Sequence, residues 1–96
     1  MNEKPGVYVI LVDRMIVSDK TEGSRSFILK DKAFLTKVGA IREMVRFLKI
    51  NGINDYKTIS ETEIRYSRTF TRNADTKHPT VESHFDHLKV CKLNYE

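Results

Sequence analysis

The sequence predicts an α+β fold, in which an antiparallel four-stranded sheet carries one main helix on one face, in the order ββαββ. Two patterns predict it. Apolar and polar residues alternate through Glu63–Arg72 and Val81–Leu93, as in half-buried strands, and apolar residues recur at helical spacing between Phe34 and Leu48. Ninety-six residues with 40% apolar and 31% charged side chains form a single domain, residues 1–96.

The first strand begins with the apolar residues 7–12 and continues through Met15–Val17. Its lack of alternation indicates that both of its faces are covered. Asp13 and Arg14 interrupt the run, as a bulge or a tight turn does. A surface loop over Ser18–Ser24 then leads to the second strand, Arg25–Lys30, which returns against the first.

The helix follows the second strand. Asp31 is one candidate for its N-cap, and Thr36 is the other, because Gly39 inside a longer helix costs about 1 kcal/mol relative to alanine. Asn51 and Gly52 end the helix. The apolar stripe expected to face the sheet consists of Phe34, Val38, Ile41, Met44, Val45 and Leu48.

The last two strands are expected to form a hairpin around the turn-forming residues 73–79. If Ile64 faces Val90, opposite charges meet near the tip of the hairpin. This register is favoured because each directly opposed pair contributes about 0.2–1 kcal/mol. The other pairs in this register are Tyr66 with Leu88, Arg68 with Asp86, Phe70 with His84 and Arg72 with Glu82. A helix from Thr80 onward is the alternative, because Val81, His84, Phe85, Leu88 and Cys91 also recur at helical spacing.

Composition limits the classes of function. The net charge is +4, with ten basic and six acidic side chains in residues 1–50 and seven of each in residues 51–96. This excess favours anionic partners only weakly. A single cysteine excludes an internal disulfide framework and predicts a reducing, cytoplasmic location. Residues 1–5 lack a signal-peptide pattern, and no apolar run approaches the ~18 residues of a membrane span, so we expect no membrane association.

One helix covers only one face of such a sheet, whereas the first strand is apolar on both. The uncovered face is then available to another protein or to a second copy of the chain, as a homodimer. The sequence therefore predicts a small non-enzymatic regulatory protein that acts by docking on another protein. A modulator of a host protein encoded by a virus or mobile element fits this prediction. We expect no cofactor and no catalytic residues.

A basic nucleic-acid-binding module is the alternative function. A basic ridge beside the apolar stripe of the helix consists of Arg42, Arg46 and Lys49. These side chains either contact phosphates or form an ordinary solvated helix face. In the hairpin, cations alternate with rings that can stack on bases or belong to the core. The residues of this second group are Arg65, Tyr66, Arg68, Phe70 and Arg72.

A metal site is a third possibility at the end of the chain. His84, His87 and Cys91 share one face if this segment is helical, and imidazole with thiolate suits zinc. On a strand, His84 turns to the face opposite His87 and Cys91, which separates the three. We therefore predict no metal site.

Overall fold

The computed structural model describes residues 6–19, 21–72 and 77–94, with the backbone alone described at Arg72. Within these residues the α+β fold is confirmed: one helix packs on an antiparallel sheet. The sheet has five strands rather than four, because the short segment Lys57–Ser60 adds an edge strand. The elements are β1 Gly6–Ser18, β2 Glu22–Phe34, α1 Lys37–Ile50, β3 Lys57–Ser60, β4 Glu63–Arg72 and β5 Thr80–Asn94, with the strand order β2-β1-β5-β4-β3.

Strand β1 lies inside the sheet, between β2 and β5, but its two faces are not both covered as predicted, since Met15 is 50% exposed. Asp13 and Arg14 form neither a bulge nor a turn, since both continue the ladder opposite His87 and Asp86. The irregularity lies in the neighbouring strand β2 instead.

Strand β2 is longer than the predicted Arg25–Lys30 because the chain continues across a bulge. Lys30 and Asp31 adopt left-handed φ angles of 57° and 50° there, a conformation that costs most L residues energy but that aspartate tolerates. Asp31 therefore does not cap the helix. The predicted loop Ser18–Ser24 also shortens to a tight turn, in which the Ser18 N–H donates to the Thr21 carbonyl at 2.9 Å.

Helix α1 begins after Thr36, the alternative cap. The Thr36 hydroxyl accepts from the Gly39 N–H at 3.0 Å, and a Cβ on residue 39 would lie 3.0 Å from that same oxygen. Glycine thus leaves room for the cap. At the other end Gly52 has a φ of 65°, and the Ile53 N–H donates to the Leu48 carbonyl, as in a Schellman motif.

The helix packs on the sheet through only part of the predicted stripe, since Met44 and Leu48 are buried but Val38 and Val45 are not. Ala40, Met44 and Leu48 are buried, whereas Val38 and Val45 are 57% and 42% exposed. Ala40, Met44 and Leu48 follow a single i, i+4 row beside the buried Glu43, and the small Ala40, which is fully buried, suits close packing of the helix on the sheet. Ile41 is only partly buried, and Phe34 belongs to β2.

Strand β5 confirms the predicted hairpin and excludes the helical alternative for residues 80–93. Its register with β4 differs by two residues from the expected one: Ile64 faces Leu88, and Arg68 faces His84. A shift of two leaves every side chain on its expected face. In the resulting ladder Tyr66 faces Asp86, Phe70 faces Glu82, and the backbone of Arg72 pairs with Thr80. Residues 73–76 of the predicted loop lie outside the described residues.

The core lies between α1 and one half of the sheet. Leu88 at its centre is fully buried, between Val12 of β1 and Ile64 of β4. A helix of 14 residues is about 21 Å long, whereas a strand of 15 residues, such as β5, extends for about 50 Å. The helix therefore leaves part of its own side of the sheet uncovered, as well as the whole opposite side.

Truncating the central core residue should destabilise the fold. We expect Leu88→Ala to lower the free energy of unfolding by about 3 kcal/mol, because it leaves a cavity between three strands. Leu35→Ala is the matched control, since Leu35 is 84% exposed, and it should change stability by less than about 0.5 kcal/mol. Urea denaturation measures both; equal effects would contradict this assignment of the core.

Candidate functional site

The face of the sheet opposite α1, here called the open face, carries a set of exposed apolar side chains. Because side chains alternate along a strand, Leu11, Met15 and Val17 of β1 lie on this face. Phe85 of β5 lies directly opposite Met15 in the ladder. Met15 is 50% exposed and Phe85 is 45% exposed. Two large apolar side chains therefore stand side by side in the middle of the sheet.

A shallow groove of about 630 Å³ surrounds this pair. Most of its lining residues carry their side chains on the open face, and they come from all four long strands. These open-face residues are Asp13, Met15, Ser24, Ser26, Arg65, Ser67, Phe85 and His87, while Arg14, Arg25, Tyr66 and Asp86 complete the lining. The groove thus has an apolar centre and a polar rim, the composition of a binding surface.

Charges are distributed unevenly across the groove. On the β1 side, Asp13 is exposed and accepts a hydrogen bond from the Ser26 hydroxyl. On the β4 side Arg65 is exposed, opposite His87 in the ladder. His87 Nε2 lies 2.9 Å from Glu63 Oε2. Among the side chains on the open face, the groove therefore carries the carboxylate of Asp13 toward β1 and the guanidinium of Arg65 toward β4.

On the same side of the sheet as α1, Arg14 and Asp86 form an ion pair. Arg14 donates to both carboxylate oxygens of Asp86, at 2.8 and 2.9 Å, and the Asp86 side chain is fully buried. Burial acts to raise the pKa of Asp86. The hydrogen bonds from Arg14 and the proximity of the Tyr66 hydroxyl outweigh it, so the pKa of Asp86 lies below its ordinary value. Asp86 is therefore a structural carboxylate that stays ionised.

Aromatic rings and arginines stack on one another around this ion pair. The guanidinium of Arg68 lies 5.7 Å from the ring centre of Tyr66 and 5.3 Å from that of Phe70. Burial, and then the charge of the nearby Asp86, raises the pKa of Tyr66 well above its ordinary value. Tyr66 is only 6% exposed, so its ring belongs to the core and is not free to stack on a base.

The structure does not bring the sequence-predicted basic residues together. Arg42, Arg46 and Lys49 are exposed along α1, and the first two line a small cleft beside Phe34. Arg65 lies on the open face, on the other side of the sheet. Arg68 shares the helix side but stacks within its own strand. The side chain of Arg72 lies outside the described part of the chain.

The metal-ligand candidates are also separated. His84 lies on the helix side, where its Nε2 is 2.6 Å from Glu82 Oε1. His87 and Cys91 are on the open face, about 13 Å apart along one strand. Among the described residues, no three histidine, cysteine, aspartate or glutamate side chains are grouped to hold a metal ion.

Sequence reasoning identified an uncovered face but missed the residues at its centre. Met15 was assigned to an apolar run, and Phe85 was noted only as part of a possible helix. The signal that identifies them is the pairing of β1 with β5, a contact between the two ends of the chain. Alternation within each strand places both residues on one face only after that pairing is known.

The chain shows no significant match to any protein-family model, curated protein or solved structure. In the described residues no helix is long and apolar enough to cross a membrane. Inference about function therefore rests on the surface chemistry of this chain.

Removing the Asp86 charge should reveal a pH-dependent contribution to stability. Because its pKa is lowered in the folded state, the contribution is complete above the ordinary aspartate pKa of about 3.9 and is lost as pH falls through the lower folded value. We expect Asp86→Asn to cost about 2–3 kcal/mol at neutral pH, since Arg14 loses its buried partner. This cost should shrink below about pH 4.

Chemical denaturation across the acid range measures this difference between wild type and variant. Glu61→Gln is the matched control, because it removes an exposed ion pair between Lys37 and Glu61, and it should change the unfolding free energy little. A cost of Asp86→Asn that stays constant down to strongly acidic pH would contradict the assignment.

Proposed function

We propose that the protein is a non-enzymatic regulator that docks on another protein through the open face. The observation that carries the proposal is the exposed pair Met15 and Phe85, on a sheet face that α1 leaves bare. Contiguous exposed apolar surface is costly in water and marks interaction sites on soluble proteins.

Cross-strand pairing distinguishes Met15 and Phe85 from apolar side chains that are exposed singly. Met15 and Phe85 are ladder partners, and Val81 of β5, 44% exposed, projects from the same face. Val17, which is partly buried, follows Met15 on this face of β1, whereas the exposed Asp13 separates Met15 from the partly buried Leu11. Aromatic residues and methionine are also the types enriched at interfaces.

An amphipathic helix of the partner protein suits this groove. The same sheet already packs a helix on its other side, through Ala40, Met44 and Leu48 of α1. A second helix would place its apolar stripe over Met15 and Phe85 in the same way. Charge complementarity then calls for a basic flank facing Asp13 and an acidic flank facing Arg65.

Binding without chemistry fits the polar groups around the groove. Asp13 bonds to Ser26, and His87 bonds to Glu63, so these groups fix the rim of the groove. In this proposal the protein changes the activity of its partner by occupying a surface. A modulator carried by a virus or mobile element works in this way when it blocks a site on a host protein.

A charge at the centre of the groove should abolish docking. We expect Phe85→Asp to eliminate capture of the partner from nuclease-treated lysate, because the aspartate must be desolvated against an apolar stripe. Leu35→Asp introduces the same charge at an exposed apolar residue outside the open face and should leave capture unchanged. Hydrogen exchange on the captured complex should show protection on β1 and β5 around Met15 and Phe85. Capture that survives Phe85→Asp would overturn the proposal.

Nucleic-acid binding remains the second candidate, favoured by the exposed ridge Arg42, Arg46 and Lys49 on α1. If phosphate contacts are the function, Arg46→Glu should abolish binding to a mixed oligonucleotide at low salt, as measured by fluorescence anisotropy. Phe85→Asp, on the other side of the sheet, should then have little effect. Absence of any binding by the wild-type protein at about 50 mM salt would eliminate this candidate.

A further inference from the structure

Strand β4 has an outer edge that β3 covers only at its beginning. The β3 partners lie between Glu63 and Arg65, where Arg65 pairs with Lys57, the first residue of β3. From Tyr66 to Arg72, no strand in the described residues pairs with the side of β4 that faces away from β5. In the described part of the chain, the backbone donors and acceptors on this side therefore have no strand partner, as at an open sheet edge.

One hydrogen bond shows which residues of β4 direct their backbone groups toward the free edge. The Val90 N–H donates to the Thr62 carbonyl at 2.9 Å, so Thr62 and Val90 form a hydrogen-bonded pair. Such pairs recur at every second residue, which directs the backbone groups of Tyr66, Arg68 and Phe70 toward β5. The N–H and carbonyl groups of the intervening residues, Ser67, Thr69 and Thr71, therefore face the free edge.

The outer edge of β4 is more regular than the opposite edge of the sheet, which is formed by β2. Strand β2, the opposite edge, is interrupted by a bulge at Lys30 and Asp31, and bulges discourage strand addition. Between Tyr66 and Arg72 the ladder of β4 with β5 is regular and contains no proline, and its two charged residues, Arg68 and Arg72, direct their backbone groups toward β5. The outward backbone groups belong to the hydroxyl-bearing residues Ser67, Thr69 and Thr71, and threonine has a high β propensity.

We propose that β4 pairs with β4 of a second copy of this chain, antiparallel, about a twofold axis through Thr69. In this register Thr69 lies opposite Thr69 of the second copy, and Ser67 lies opposite Thr71 in both directions. All three outward-facing residues of each copy are used, which gives about six backbone hydrogen bonds. The contact is isologous, so it closes at a dimer.

The side chains select this register over its neighbours. On the helix side, Arg68 lies opposite Phe70 of the second copy, twice, which repeats the stacking that Arg68 makes with Phe70 in its own strand. On the open face, threonine and serine lie opposite one another, a favourable cross-strand combination. An axis through Arg68 would place Arg68 opposite Arg68 and would use only Ser67 and Thr69, with about four hydrogen bonds.

The dimer joins two sheets into one of twice the width. The helices of the two copies lie on the same side, and the two open faces are continuous on the other. This association uses the edge of β4 and not the pair Met15 and Phe85. The dimer and the docking on a partner protein can therefore be tested independently.

Proline at the symmetry centre tests the dimer. Thr69→Pro removes an N–H that faces the free edge, so the ladder with β5 remains intact while the central pair of the dimer is lost. Analytical ultracentrifugation from micromolar to millimolar concentration should show a dimer for wild type and for Thr69→Ala, and a monomer for Thr69→Pro. A wild-type monomer throughout this range, or a dimer unchanged by Thr69→Pro in a folded variant, would overturn the proposal.

Cross-linking fixes the register even where the proline variant fails to fold. In a Cys91→Ser background, Thr69→Cys should form an intermolecular disulfide on mild oxidation, since hydrogen-bonded partners have Cα atoms about 5.5 Å apart. Ser67→Cys is the control, because Ser67 lies opposite Thr71 and two such cysteines are too distant to bridge. Equal cross-linking of the two variants, or none of Thr69→Cys, would overturn the register. Loss of these cross-links in Phe85→Asp would instead place self-association on the open face.

Discussion

The ladder between β1 and β5 determines which side of the sheet every other side chain occupies. It joins the two ends of the chain, from Gly6 opposite Asn94 to Ser18 opposite Glu82. If either strand slipped by one residue, its side chains would turn to the opposite face. Its core residue, Val12 or Leu88, would then face solvent, and its surface residue, Met15 or Phe85, would face the core. Gly6 permits the close approach of the two strands, since a Cβ there would lie 2.6 Å from the Leu93 carbonyl oxygen. Helix, core and open face all follow from this pairing.

The ion pair of Arg14 with Asp86 belongs to the same ladder, one row beyond the apolar core. Its net contribution to stability is limited by the cost of burying two charges. It also contributes to specificity, because the observed register of β1 with β5 places Arg14 directly opposite Asp86. Apolar rows and one buried ion pair thus select the same register, and agreement between such signals is typical of a chain with a single fold.

Local patterns in the sequence predicted the elements, and distant contacts determined their alignment. The β4–β5 hairpin followed from alternation, and Thr36 and Gly52 marked the helix ends. The hairpin register was displaced by two because Asp86 was assigned to Arg68, whereas Arg14, 72 residues away in the sequence, is its partner. The helix stripe was predicted in part: Met44 and Leu48 are buried, whereas Val38 and Val45 have the right spacing but face solvent. The groove was not predictable from either strand alone, since Met15 and Phe85 meet only across the β1–β5 ladder.

A chain of 96 residues has little apolar surface in excess of what its core requires. Placing Met15, Phe85 and Val81 on the open face removes three large side chains from a possible core and exposes them to water. A stable fold alone would place polar residues at these positions, as the threonines and serines of β4 do on the same face. Departures from the pattern that stability favours are concentrated at functional sites. The proposed docking on a partner protein would cover these side chains and so offset the cost of exposing them.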